Sequence, residues 1–272
     1  MLLADRVAIV TGGASGMGRA IAVKFAEEGC DVAVADVNLP QALQTLEMVR
    51  QRGRDGLALE CDVSNTQQVK NAVNAVLAKW GKIDILVNAA GKSVGGARRG
   101  ALASITSISD EDWNRTIAIN LTGPFLFCRE VVPHMKARRY GKIINISTLG
   151  WIHPPAVSPH YHGAKAGVVG LTNDLAAELG PYNINVNAIL PGPVRTAFYD
   201  EMLKGRTPDE IDAFFEAVGK TTPLQRVGVA EDIAGVALFL ASELSSYITG
   251  ASIPVGGGLP IKPYTGKFGG SA

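Results

Sequence analysis

The sequence predicts an α/β fold, a single-domain doubly wound parallel sheet of about seven strands with helices on both faces. Two observations predict it. Short, continuously apolar runs alternate with longer stretches of helical periodicity, and glycines collect just after those runs. An apolar run without alternation reads as a strand buried on both faces. Strands that alternate with helices imply right-handed crossovers and a parallel sheet. At 272 residues, 47% hydrophobic, the chain is long enough for one large core. Residues 1–258 are read as one domain and 259–272 as a tail.

The elements follow in order. Val7-Ala8-Ile9-Val10 is the first strand, ended by a glycine cluster. Arg19 to Glu28 carries helical periodicity through Ile21, Ala22 and Phe25 and closes on Gly29. Asp31 to Asp36 is the second strand, and Gln41 to Arg52 an amphipathic helix ended by Gly53. Leu57 to Cys61, Thr66 to Trp80 and Ile83 to Val87 continue as strand, helix and strand. A helix over about Asp110 to His134 precedes a strand at Ile143 to Ile146. A helix from about Tyr161 to Leu179, a strand at Ile184 to Ile189, a helix at about Glu231 to Leu240 and a strand at Ser252 to Val255 complete the set. Ligands of such a sheet bind beyond the carboxyl ends of the strands.

Composition narrows the function. The net charge is +1, which gives no electrostatic case for nucleic acid or an acidic membrane surface. Cys30, Cys61 and Cys128 show no C-x-x-C spacing and sit in apolar surroundings, so buried, reduced thiols and a cytoplasmic location are expected. No signal peptide is expected at Met1 to Arg6, and no apolar run reaches bilayer length. His134, His153, His160 and His162 form no metal-ligand spacing, so no catalytic metal is expected.

Residues with chemical potential lie just after the strands. Thr11-Gly12-Gly13-Ala14-Ser15-Gly16-Met17-Gly18 joins the first strand to the first helix. Glycines allow a tight turn and a close approach to a pyrophosphate, and the helix start offers free N–H groups. A merely structural turn is the other reading; strand before and helix after point to dinucleotide binding. Asp36 ends the second strand, where a carboxylate accepts from a free ribose hydroxyl and repels a 2′-phosphate. No Arg or Lys stands in Ala14-Ser15 or Val37-Asn38 to hold such a phosphate, which favours NAD over NADP. Asp36 could instead cap the next helix, but Asn38 suits that role. Tyr161 and Lys165 are four apart and share a helix face, so a cation stands beside a phenol whose ordinary pKa is about 10. Such a pair is a solvated surface pair or an acid/base centre, according to what surrounds it.

These motifs together resemble the classical short-chain dehydrogenase/reductase family, a Rossmann-type fold, from about Val7 to Gly258. Thr11, Gly12, Gly16 and Gly18 match its T-G-x-x-x-G-x-G turn, in which Ser15 and Met17 lie. Asp62 and Val63 match its adenine-contacting pair. Asn88-Ala89-Ala90-Gly91 matches N-N-A-G with Ala89 in place of the second Asn. Asn120 matches the asparagine that holds a helix kink and a relay water. Pro191, Gly192, Val194 and Thr196 match the segment against the nicotinamide, and Arg226 to Gly250 the C-terminal signature. The resemblance implies that Lys165 bonds the nicotinamide ribose and lowers the pKa of Tyr161, which exchanges a proton with the substrate oxygen. It also implies an NAD(H)-dependent interconversion of a secondary alcohol and a ketone, in a homotetramer or dimer. The family serine before the tyrosine has two candidates: gapless counting back from Tyr161 lands on Thr148, whereas the glycine three residues after that serine aligns Gly150 with Ser147. The last strand carries Gly256 where the family has Asp, which bears on subunit contacts.

Substrate choice is expected in two insertions. Lys92 to Ser109 is longer than usual and carries Lys92, Arg98 and Arg99, which meet a substrate anion or form a solvated or intersubunit loop. Ala197 to Thr222 stands where the family has its substrate lid; Phe198, Tyr199, Met202, Phe214 and Phe215 line an apolar pocket or simply pack. Trp151, His153, Pro154 and Pro155 fall on the substrate side, and the Pro- and Gly-rich tail lies across a neighbouring subunit or frays. The competing enzyme reading is an NADP(H)-dependent 3-oxoacyl-thioester reductase. The non-enzyme reading is a catalytically silent partner subunit of the same fold.

Overall fold

A computed structural model describes residues 1–94, 105–152, 158–199 and 203–261. Arg98, Arg99, His153, Pro154, Pro155, Met202 and the tail from residue 262 onward lie outside the described residues. One seven-stranded sheet runs through the chain in the order β3-β2-β1-β4-β5-β6-β7, all neighbours parallel. The strands are β1 Val7–Thr11, β2 Asp31–Asp36, β3 Gly56–Glu60, β4 Ile85–Asn88, β5 Gly141–Ile146, β6 Ile184–Pro191 and β7 Ser252–Val255. The order reverses between β1 and β4, so two chain segments leave the sheet in opposite directions there and open a crevice at their carboxyl ends.

Eight α-helices cover the described sheet: α1 Gly16–Glu27, α2 Leu39–Gln51, α3 Thr66–Trp80, α4 Asp110–Ile117, α5 Gly123–Arg138, α6 Pro159–Leu179, α7 Pro208–Gly219 and α8 Ala230–Ala241. The apolar strands split into two cores by residue parity. Ala8 and Val10 face Ile21 and Phe25 of α1 and Ile233 and Leu240 of α8. Val7 and Ile9 face the opposite layer, with Val73 of α3, Phe127 of α5 and Leu179 of α6. Successive strand side chains point to opposite faces, so a strand covered on both sides needs apolar residues at every position.

Helix starts follow their caps. The Asn38 side chain accepts from Gln41 N–H at 3.1 Å, which fills the capping role and leaves Asp36 out of it. Asn65 caps α3, and Gly81 ends that helix in the left-handed region at φ 69°. Two expectations change. The helix foreseen over 110–134 is broken at Ala118–Thr122 by a π-helical turn and runs on to Arg138. Pro208–Gly219 is a helix that sequence reading left unassigned; Thr207 and Glu210 close a reciprocal capping box at its start.

Candidate active site

The crevice begins with the β1–α1 turn. Gly12 and Gly16 have φ of 64° and 52°, a region that side-chain-bearing residues rarely adopt. A Cβ on Gly12 would lie 2.7 Å from the Ala90 Cα, and one on Gly18 would overlap the Gly12 carbonyl. Thr11 Oγ1 accepts from the N–H groups of Ala89 and Ala90 at 3.1 and 3.2 Å, which pins the end of β4 to this turn. The Ser15 side chain makes no capping bond, so the first N–H groups of α1 remain free to face an anion. Thr196 closes the other side: a Cβ on Gly16 would stand 3.4 Å from its Cβ. Gly192 abuts Gly256 across the β6 and β7 ends, and Val194 is buried beside Gly228. Met17 packs on the core behind the turn.

Asp36 stands beside the turn with both carboxylate oxygens oriented. Oδ2 accepts from Ala14 N–H at 3.0 Å and Oδ1 from Asn38 N–H at 2.9 Å. Sequence reading missed Arg19, whose guanidinium reaches this region. Its donors go to the Ala14 carbonyl and, at 3.1 Å, to Thr45 Oγ1. Asp62 bonds Ser64 and the Arg115 guanidinium, the latter at 2.8 Å, which ties the β3 end to α4. Burial pushes the Asp62 carboxyl up, but these bonds outweigh it and hold it below the usual carboxylate range. Val63 is buried against Gly123 of α5. The Asn88 side chain turns inward and donates to Asn145 Oδ1 at 2.8 Å, while Asn145 donates to Thr172 Oγ1 at 2.9 Å.

Asn120 and Lys165 converge beside Gly91, and Lys165 in turn approaches the Tyr161 ring. Asn120 sits fully buried in the π turn. Its amide donates to the carbonyls of Lys92 and Thr116 at 2.6 and 2.9 Å, and its Oδ1 accepts from Lys92 N–H at 3.2 Å. A Cβ on Gly91 would stand 3.0 Å from Asn120 Oδ1 and 3.1 Å from Lys165 Nζ, so glycine is what lets both approach. Lys165 Nζ donates to the Ile146 carbonyl at 2.8 Å and lies 5.8 Å from the centre of the Tyr161 ring. Burial pulls the Lys165 ammonium down to about 8. Burial, with the neighbouring Tyr199 phenol, pushes Tyr161 up. Both shifts have the same physical cause, the loss of water around a group that must carry charge.

The two candidate hydroxyls take different positions. Ser147 is buried and its Oγ donates to the Lys165 carbonyl at 2.8 Å, which packs β5 on α6. Thr148 is half-buried, and its Oγ1 accepts from Gly150 N–H at 3.1 Å. Phe198 covers Tyr161 at 5.5 Å between ring centres, and Tyr199, Phe214 and Phe215 continue the aromatic cluster. Lys92 is exposed and Trp151 half-buried, with its indole N–H unpartnered among the described residues. Cys30, Cys61 and Cys128 are buried and unpaired; burial raises all three thiols, Cys61 and Cys128 to about 12. Among the described residues no group of three His, Cys, Asp or Glu could hold a metal, and no helix is long and apolar enough to cross a membrane.

This glycine cradle, buried lysine and covered phenol define an oxidoreductase class, and comparison with known proteins agrees. A family model described as enoyl-(acyl carrier protein) reductase matches residues 12–260. The (2S)-[(R)-hydroxy(phenyl)methyl]succinyl-CoA dehydrogenase subunit BbsD of Thauera aromatica is 37% identical, over 95% of this chain and 98% of that one. The 3-oxoacyl-[acyl-carrier-protein] reductase FabG of Thermotoga maritima is also 37% identical, over 96% of this chain and all of its own, 100%. The crystal structure of levodione reductase superposes with a TM-score of 0.87 at 32% identity, over 94% of this chain and 97% of that one. The chain belongs to the classical short-chain dehydrogenase/reductase family of oxidoreductases, which use a nicotinamide cofactor, NAD or NADP. The glycine cradle, which a single Cβ would fill, fits such a dinucleotide.

Proposed function

We propose that the protein is an NAD(H)-dependent oxidoreductase that interconverts a secondary alcohol and a ketone, with Tyr161 as acid/base. The convergence of Lys165 Nζ and Asn120 Oδ1 on Gly91, with Lys165 Nζ 5.8 Å from the centre of the Tyr161 ring, carries this reading. A bound nicotinamide supplies the hydride acceptor or donor and, oxidised, a positive charge near the phenol. The half-buried Thr148 hydroxyl holds the substrate oxygen, and in the oxidative direction Tyr161 as phenolate takes its proton. The Lys165 ammonium stabilises that phenolate, and Asn120 holds the turn behind it. The Gly12, Gly16 and Gly18 cradle, with Ser15 at the start of α1, holds the pyrophosphate; Pro191 to Thr196 flank the nicotinamide. Asp62, Val63, Asn88, Ala90 and Gly91 border the adenine half and the floor.

Asp36 supports NAD, because its oriented carboxylate meets ribose hydroxyls and repels a phosphate. Arg19, the cation nearest this carboxylate's turn, commits its Nε and Nη2 to Thr45 Oγ1 and the Ala14 carbonyl. The FabG relative, which acts on a 3-oxoacyl thioester, favours the alternative of an NADP(H)-dependent thioester reductase. One experiment separates them. Wild type and Tyr161→Phe are assayed with NAD and NADP on a panel of secondary alcohols. We expect at least about a tenfold preference for NAD and at least about a thousandfold loss in the variant, with nucleotide binding kept. A preference for NADP sinks the Asp36 argument, and normal turnover by Tyr161→Phe sinks the assigned role.

We also propose a homotetramer or dimer in the cytoplasm. Trp113 on α4 and Phe125 on α5 are exposed apolar residues, which supports assembly, and the three buried thiols suit a reducing compartment. A monomer by light scattering at micromolar concentration would contradict the assembly.

A further inference from the structure

The residue after the acid/base tyrosine has no part in the chemistry above. His162 lies edge-on to Tyr161, with ring centres 5.7 Å apart. A Cβ placed on Gly150 would stand 2.6 Å from His162 Nε2 and 3.3 Å from Thr148 Oγ1, so nitrogen and hydroxyl border the same small space. Thr148 is the hydroxyl to which the proposed function assigns the substrate oxygen, so His162 Nε2 borders the space next to that oxygen. The two histidines near Tyr161 differ in how they are used. His160 is fully buried and its Nε2 is 2.7 Å from the Val94 carbonyl, a bond that packs the chain. The half-buried His162 imidazole has no hydrogen-bond partner among the described residues.

We infer that His162 is a specificity-determining residue whose imidazole reads a second, uncharged oxygen of the substrate, a hydroxyl or carbonyl on the carbon next to the reacting one or the one beyond. This rests on the reading of Tyr161 as the acid/base. The surroundings select an uncharged group. Burial and the nearby His160 push the His162 pKa below its ordinary 6.5, so at neutral pH the ring offers one donor and one acceptor. Phe198, packed on Tyr161, brings no charge, and Lys165 Nζ is held on the Ile146 carbonyl, 5.8 Å from the phenol ring centre. A neutral donor–acceptor in a half-buried, apolar wall discriminates an alcohol that satisfies it from one that leaves it unpaired.

The test compares cyclohexanol with trans-cyclohexane-1,2-diol in wild type, His162→Leu and His162→Gln. Steady-state kinetics with NAD are joined by calorimetric binding of each alcohol to the NADH-loaded protein, which needs no turnover. We expect wild type to favour the diol in KM and Kd. His162→Leu should raise both for the diol about tenfold, leaving cyclohexanol and either kcat within about twofold. His162→Gln keeps a neutral donor and acceptor and should restore most of the preference. An equal loss on both alcohols, a fall in kcat, or no diol preference in wild type overturns the inference. A His162-dependent difference in binding without turnover of either alcohol would leave it standing and overturn the dehydrogenase reading instead.

Discussion

Lys165 is a lysine held where it destabilises the fold. The residue is 2% exposed and its ammonium donates to the Ile146 carbonyl, and burial lowers its pKa from 10.5 to about 8. Below pH 8 both folded and unfolded chains carry the charge and the penalty is complete. Between pH 8 and 10.5 the folded chain sheds the proton first, and the penalty disappears. At about 1.4 kcal/mol per pH unit this amounts to roughly 3 kcal/mol. Lys165→Met removes it at neutral pH at the cost of about 1 kcal/mol for the orphaned carbonyl. The variant should therefore be inactive yet more stable by about 2 kcal/mol at pH 7, by chemical denaturation. The gap to wild type should shrink as pH rises from 8 to 10; a gap that grows would contradict the sign. Tyr161 and Lys165 were legible in the sequence because four residues on a helix fix a shared face. The hydroxyl beside them was not. Ser147 and Thr148 are adjacent, and their contacts part only because extended chain turns successive side chains to opposite sides, with α6 taking one of them.

The junction of α4 and α5 shows how one element is bent to serve another. The π turn at Ala118–Thr122 inserts extra chain into the helix and brings Asn120 inward, where it bonds both backbone groups of Lys92 and the Thr116 carbonyl. Asn120→Ala leaves these buried groups without the amide. It should cost about 2–3 kcal/mol of stability and lower kcat more than it raises KM, because the floor under Lys165 moves while the substrate wall does not. An unchanged unfolding midpoint would show that the turn holds without its asparagine. Periodicity alone gave a single helix over 110–134, since a one-residue slip barely disturbs a 3.6-residue repeat. α7 escaped for the opposite reason. Its phenylalanines read equally as pocket or packing, and only the folded chain shows them packed on Tyr199.

Across the whole molecule, the two ends of the sheet divide the work. At the amino ends, fully buried Asp84 accepts from Val7 N–H at 2.9 Å and from Arg138 at 2.8 Å, with Lys82 at 3.4 Å. Asp84→Ala leaves a buried N–H and cations unpaired and should destabilise by about 3 kcal/mol without changing KM. A shifted KM would link this end to the site. At the carboxyl ends, the reversal of strand order opens the crevice and the motifs gather there. The sequence by itself determined the layered sheet, the glycine turn, Asp36, Asn120 and the Tyr161–Lys165 pair. Each is set by local periodicity or by a short spacing that backbone geometry converts directly into position. Only the tertiary structure decided that Phe198 packs on Tyr161, that His162 shares a space with Thr148, and that burial pushes the Tyr161 phenol up. Those outcomes depend on how segments distant in sequence exclude water from one another, and desolvation leaves no local trace in the chain.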